Sequence, residues 1–231
     1  MTTTTGIIFD KDGTLFGFTA TWGGWCKKFI AAMTQGDAAL SARLADVLGF
    51  DLTTAEFRPD AIVIAHNNAE IAAQVQPLFP HIDQSQLLAR MEAMTLGLAQ
   101  VPAAPLYPLL AGLRARGIVL GIATNDSEAA ARAHVGSVGV AELFDFIAGY
   151  DSGFGGKPAP GQLLGFMDQF GLTASTCVMV GDSIHDMAAG KAAGMRKVAV
   201  LTGPADRATL DPHADAVLSS IMDLPVWLDR A

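Results

Sequence analysis

The segment Phe9-Asp10-Lys11-Asp12-Gly13-Thr14-Leu15 sets two carboxylates two residues apart. At the end of a strand, that spacing lets both face one cleft. One can then act as nucleophile or metal ligand and the other as general acid and base. Gly13 permits a sharp turn and a close approach of backbone to ligand. Further on, Thr124-Asn125-Asp126 offers a hydroxyl and an amide to phosphate oxygens, beside a helix start at Ser127 whose N-terminus favours anions. Asp126 or Ser127 reads equally as the N-cap of that helix. In Gly155-Gly156-Lys157-Pro158 the backbone around one lysine is constrained, which suits an ammonium aimed into a cleft; alone, a surface loop is the commoner reading. Finally, Gly181-Asp182-Ser183-Ile184-His185-Asp186 places two carboxylates one helical turn apart, and joined to the first pair they make a hard oxygen site suited to Mg²⁺.

Positioning these groups requires strands that end where the groups begin. Short apolar runs occur at Gly6–Phe9, Ile118–Ala123, Phe144–Ala148, Cys177–Val180 and Lys197–Leu201, with a weaker one at Ala216–Leu218. Runs apolar on both faces fit buried strands of a parallel sheet. Between them the spacing predicts helices over Leu106–Arg116, Ser127–Val138, Gly161–Phe170 and Ile184–Ala193, several closed by glycine (Gly117, Gly139, Gly171, Gly194). Alternation of this kind predicts an α/β sheet with right-handed crossovers. Small residues at Ala189, Gly190, Ala193 and Gly194 allow the last of these helices to pack close to the sheet. The stretch from Phe16 to Pro105 has no such strand. It predicts helices over Thr21–Thr34, Asp37–Leu48, Asp60–Val75 and Ser85–Leu98, with Pro102–Pro105 as a hinge or linker.

The 231 residues carry 15 Lys+Arg against 23 Asp+Glu, a net charge of −8. That balance argues against a nucleic-acid partner, which needs a basic face, so positive charge for an anionic ligand must come from a few residues, a helix end or a metal. Cys26 and Cys177 form no metal or redox motif and read as buried thiols in a reducing compartment. The N-terminal residues show no secretory signal, and no run approaches the roughly 20 apolar residues of a membrane helix, so a soluble cytoplasmic protein is expected.

Four successive strand ends thus supply Asp/Asp, Thr/Asn, Lys and Asp/Asp. In that order, Asp10-x-Asp12-Gly13-Thr14, Thr124, Lys157-Pro158 and Gly181-Asp182-x-x-x-Asp186 resemble the phosphatase branch of the haloacid dehalogenase superfamily, and Gly181–Met195 looks most like the phosphoglycolate phosphatases. The resemblance implies an α/β, Rossmann-like core built from residues 1–15 and 106–231, with a smaller all-helical cap at 16–105. It implies that Asp10 is the nucleophile, forming an aspartyl-phosphate, and that Asp12 is the acid/base. Thr124, with Asn125 as the weaker candidate, and Lys157 would bind the phosphoryl group. Mg²⁺ would sit on Asp10, the Asp12 carbonyl and Asp182, with Asp186 acting through water or on Lys157. An aspartate at position 12 favours phosphate esters, with their alcohol leaving groups. The implied substrate is a small phosphate ester and the implied assembly a monomer or homodimer. A sugar-phosphate phosphatase or phosphoglucomutase is the alternative within the superfamily, and a silent binding module the non-enzymatic one.

In the inserted stretch, Trp22 or Lys27 is a candidate for contact with a leaving group, although packing of Trp22 and Trp25 and solvation of Lys27 and Lys28 are the commoner fate of such residues. His66-Asn67-Asn68 faces either the cleft or solvent, and His185 lies at the cleft rim. His81, His134 and His213 are expected at the surface, and Met33, Met91 and Met94 in a core.

Overall fold

The structure is a computed structural model that describes residues 3–58 and 60–230. The first strand, β1 (Gly6–Phe9), is buried along its whole length. Five helices follow: α1 (Phe18–Thr34), α2 (Ala38–Leu48), α3 (Ile62–Ala65), α4 (Asn68–Val75) and α5 (Gln84–Leu96). Strands and helices then alternate: α6 (Leu106–Ala115), β2 (Val119–Ala123), α7 (Glu128–Ser137), β3 (Phe146–Ala148), α8 (Gly161–Phe170), β4 (Cys177–Gly181), α9 (Ile184–Ala192), β5 (Arg196–Val200), α10 (Arg207–Leu210), β6 (Ala216–Leu218) and α11 (Leu224–Leu228).

The six strands form one parallel sheet in the order β3-β2-β1-β4-β5-β6. Alternating side chains of β1 go to opposite faces, as a strand's period of two requires. Ile7 and Phe9 join a cluster with Leu109 and Leu113 of α6 and Val135 of α7, whereas Ile8 packs with Leu163 and Phe166 of α8 and Ala189 of α9. Helices therefore cover both faces, and this is why the strands read as continuous apolar runs. Gly190 brings α9 close to the sheet: a Cβ there would meet Met179 Cβ at 3.1 Å.

Phe9 lies in register with Ile122 on one side and Val180 on the other. The carboxyl ends of β1, β2 and β4 thus stand side by side at the point where the chain crosses in opposite directions, the usual crevice of open α/β sheets. Residues Phe18–Leu98 enclose a separate apolar cluster in which Trp25 stacks on Phe29 (4.8 Å) and meets Trp22 edge-on (5.5 Å). Two paired linkers join this bundle to the sheet: Gly17 N–H donates to the Val101 carbonyl and Ala103 N–H to the Leu15 carbonyl, each at 2.9 Å. Phe16, the first residue of the inserted stretch, packs with the sheet cluster.

Two expected elements differ. The third strand starts at Phe146: the Asp145 N–H still donates to the Leu120 carbonyl (2.8 Å), but the Leu120 N–H goes to the Asp145 carboxylate, which Arg114 shares, and not to a carbonyl of the neighbouring segment. The helix expected over Asp60–Val75 is broken into α3 and α4. Asn67 accepts from the Glu70 N–H while Glu70 accepts from the Asn67 N–H, a reciprocal cap that starts a new helix.

Candidate active site

Asp10 extends the β1 ladder by one residue, its N–H donating to the Val180 carbonyl at 2.8 Å. Its carboxylate is buried and receives Lys157 Nζ at 2.5 Å. Lys157 is also ion-paired with Asp186 Oδ1 at 2.7 Å. The loop bearing Lys157 is clamped by Asn125, whose amide donates to the Lys157 carbonyl (2.9 Å) and accepts from its N–H (2.8 Å). Gly156 is required beside this clamp, since a Cβ there would stand 2.9 Å from the Asn125 oxygen. Thr124, at the end of β2, accepts the Asp126 N–H on its hydroxyl oxygen (3.1 Å), which leaves the hydroxyl proton for another acceptor. Ser127, not Asp126, caps α7 by accepting from Ala130 N–H.

Asp182 follows β4. Thr14 donates to it at 3.2 Å, and Gly13 (φ +84°) and Gly203 form a cradle around it that a Cβ at either position would fill. Asp186 Oδ2 accepts from the N–H groups of Asp182 (3.1 Å) and Ser183 (3.0 Å) and from the Ser183 hydroxyl (2.6 Å). Carboxylate oxygens of Asp10, Asp182 and Asp186 lie within 4.8 Å of one another, all buried. Three carboxylates against one ammonium leave an uncompensated negative charge, and burial makes it costly. Burial first, then Asp186 and Asp12, raises Asp10 to about 6 against the pull of Lys157. Burial, with Asp10 and Asp186, lifts Asp182 well above the usual carboxylate range. Burial works against the Lys157 ammonium, but Asp10 and Asp186 outweigh it and raise its proton affinity. Oxygen donors alone, unbalanced charge and a fitted cradle suit a hard divalent cation such as Mg²⁺.

Opposite these strand ends the inserted stretch contributes Phe18, Trp22, Val63, Ile64, His66, Asn68 and Ile71, which with Asp10, Asp12 and Lys157 line a cleft of about 60 Å³. Trp22 Nε1 and Asn68 Nδ2 are buried there without a hydrogen-bond partner. His66 lines the cleft from an exposed position, Asn67 serves as a cap, and Lys27 is solvated. His185, half-buried, lines the cleft mouth, and burial lowers its proton affinity.

Sequence reasoning missed a second buried network. Lys11 is fully buried and hydrogen-bonds Asp12 Oδ2 at 2.5 Å, and His134, expected at the surface, is 1% exposed beside it. The spacing of α7 held the signal: His134 follows Ala130 and Ala131 at i+4 and i+3 and adjoins Val135, all buried.

The family model described as haloacid dehalogenase-like hydrolase matches residues 4–194. A phosphoglycolate phosphatase of Rhodospirillum rubrum is 37% identical over 129 residues, spanning about half (54%) of either chain. One of Xylella fastidiosa is 30% identical over 197 residues, covering 85% of this chain and 80% of that one. Among solved structures, a HAD phosphatase from Thermococcus onnurineus superposes with a TM-score of 0.67 at 21% identity over 97% of both chains. A hydrolase from Pseudomonas syringae gives 0.69 at 21% identity over 98% of both. With its acidic strand ends, clamped lysine and helical cover in place, the chain is an enzyme of the haloacid dehalogenase-like hydrolase family.

Proposed function

We propose that the protein is a Mg²⁺-dependent phosphomonoesterase for a small, phosphoglycolate-like ester. The observation that carries this reading is the 2.5 Å contact of Lys157 with Asp10 in a cleft that also holds Asp12. Asp10 attacks phosphorus in line, forming its own acyl–phosphate bond as the ester P–O bond breaks, and Asp12 gives a proton to the departing alkoxide. A water then attacks the aspartyl-phosphate, Asp12 takes back its proton, and inorganic phosphate leaves. Lys157 and the Thr124 hydroxyl hold charge on the phosphoryl oxygens, Lys157 keeping its place through Asn125 and Asp186. Asp10, Asp182 and the Asp12 carbonyl would hold Mg²⁺, with Asp186 supporting from behind; when bound, the ion supplies neutralisation of the charge gathered on the phosphoryl group.

In this reading residues 1–15 and 106–231 are the catalytic core and 16–105 a cap that excludes water and selects substrate. The small volume of the cleft, lined on one side by the inserted helices, supports a small metabolite over a macromolecular substrate. Trp22 Nε1 and Asn68 Nδ2 are free donors for an oxygen of the leaving group, such as a carboxylate. The test is phosphate release from a panel holding phosphoglycolate, hexose phosphates, nucleoside monophosphates and p-nitrophenyl phosphate, with Mg²⁺ or with EDTA, for wild type and Asp10→Asn. Release that requires both Asp10 and Mg²⁺ is expected, with phosphoglycolate preferred. EDTA-resistant turnover overturns the metal requirement, and conversion of a hexose phosphate without phosphate release would establish a mutase instead.

A further inference from the structure

Lys11 and His134 have no part in the phosphoryl chemistry above, yet they are buried directly behind Asp12. Lys11 Nζ hydrogen-bonds Asp12 Oδ2 at 2.5 Å, pairs with Asp126 Oδ2 at 3.3 Å, and lies 3.1 Å from His134 Nδ1. An ammonium can only donate, so Nδ1 accepts. The ring proton is then on Nε2, which sits 2.8 Å from the Thr95 carbonyl, a group that can only accept. Both contacts demand the same neutral tautomer. Burial, joined by the Lys11 charge, keeps the ring neutral by lowering it to about 4.

The network has two ends. Toward the cleft, Asp12 is among the lining residues, and its Oδ1 is buried with no hydrogen-bond partner. Toward the inserted helices, Thr95 belongs to the last turn of α5, and the ring of Trp22 on α1 lies 6.0 Å from Lys11 Nζ. One hydrogen-bonded path therefore runs from the α5 backbone through His134 and Lys11 to the carboxylate read above as the acid/base.

We propose that Lys11 and His134 are positioning residues that hold Asp12 with Oδ1 turned to the leaving oxygen, and that they tie this placement to the seat of α5. The inference rests on the role of Asp12 in the proposed function. Without His134 the Lys11 ammonium keeps its two carboxylates but loses the acceptor that fixes its direction, and the Thr95 carbonyl loses the side-chain donor from α7, keeping backbone donors of its own segment such as Leu98 N–H (3.0 Å).

The test compares wild type, His134→Leu and His134→Gln by kcat/KM with Mg²⁺ on two esters. An alkyl phosphate needs a proton on its leaving oxygen; p-nitrophenyl phosphate expels a stabilised phenolate that does not. His134→Leu is expected to lower kcat/KM on the alkyl ester by at least about tenfold, while the aryl ester changes by less than about threefold. Glutamine can accept from Lys11 and donate to Thr95, so His134→Gln restores the alkyl rate. Equal losses on both esters, or no loss on either, overturn the positioning role. Hydrogen exchange of residues 91–97 reads the other end without turnover. It is expected to quicken about tenfold in His134→Leu and to stay near wild type in His134→Gln; unchanged exchange overturns the tie to α5. If the wild type hydrolyses neither ester, the phosphatase reading fails and the role at Asp12 fails with it, whereas the exchange measurement still decides the tie.

Discussion

Asp10→Asn should destroy activity and stabilise the metal-free protein. The folded protein holds the Asp10 carboxyl at about 6 against an ordinary value of 3.8. It therefore binds that proton more tightly than the unfolded chain does. The stability this group contributes is complete below about pH 4 and is lost as pH rises through 6. A displacement from 3.8 to about 6 corresponds to about 3 kcal/mol. Asparagine copies the shape of the protonated carboxyl but cannot ionise. The variant should match wild type near pH 4 and exceed it by about 3 kcal/mol at pH 7.5, or about 6–12 °C in Tm for a chain of this length. The assay is thermal unfolding of both proteins in EDTA from pH 4 to 7.5. Taking the difference between them cancels the titrating groups that do not interact with Asp10. Among these is His134, which is held at about 4 and so gains stability as pH rises, the opposite sign. Mg²⁺ at about a hundred times its Kd should stabilise wild type alone by about 3 kcal/mol and close the gap. A variant no more stable than wild type at pH 7.5, or a gap independent of pH, refutes the electrostatic reasoning.

Other perturbations probe the supports of the site. Gly203→Ala puts a methyl group into the Asp182 carboxylate, and Mg²⁺ titration followed by thermal shift should show affinity weakened by about 10- to 100-fold. Ser183→Ala removes the α9 cap and a donor to Asp186; a loss of about 1 kcal/mol should appear as a Tm lower by about 2–4 °C. Asn68→Ala and Trp22→Phe each delete an unpaired donor in the cleft. Each should raise KM for the preferred ester by about tenfold with a smaller change in kcat, and steady-state kinetics that show kcat alone falling would remove these donors from substrate binding.

The sheet was legible because parallel strands covered on both faces must be apolar throughout, as β1, β2 and β4 are. The chemistry at their ends was legible because each group immediately follows its strand. The α3–α4 break did leave a signal, Asn67 and Glu70 at the spacing of a reciprocal cap, but the apolar residues on either side favour one continuous helix. The Lys11–His134 contact was not legible, since it joins residues 123 apart in the chain. A lysine between two aspartates reads as a solvated charge until the fold turns it away from water. Lys157 was legible as a constrained cation, but not the Asn125 clamp that does the constraining, because the two lie 32 residues apart.

The central place of β1 has a consequence for how the chain is made. Gly6 pairs with Val119 on one side and Cys177 on the other. At about 5–20 residues per second, a ribosome needs roughly 10–35 s to go from one partner, Gly6, to the other, Cys177. The helices of Phe18–Leu98 pack on close neighbours in sequence and can assemble during that interval. Asp10 is thus synthesised well before the strand that completes its setting, and until β4 arrives an apolar strand edge must be kept from pairing with other chains.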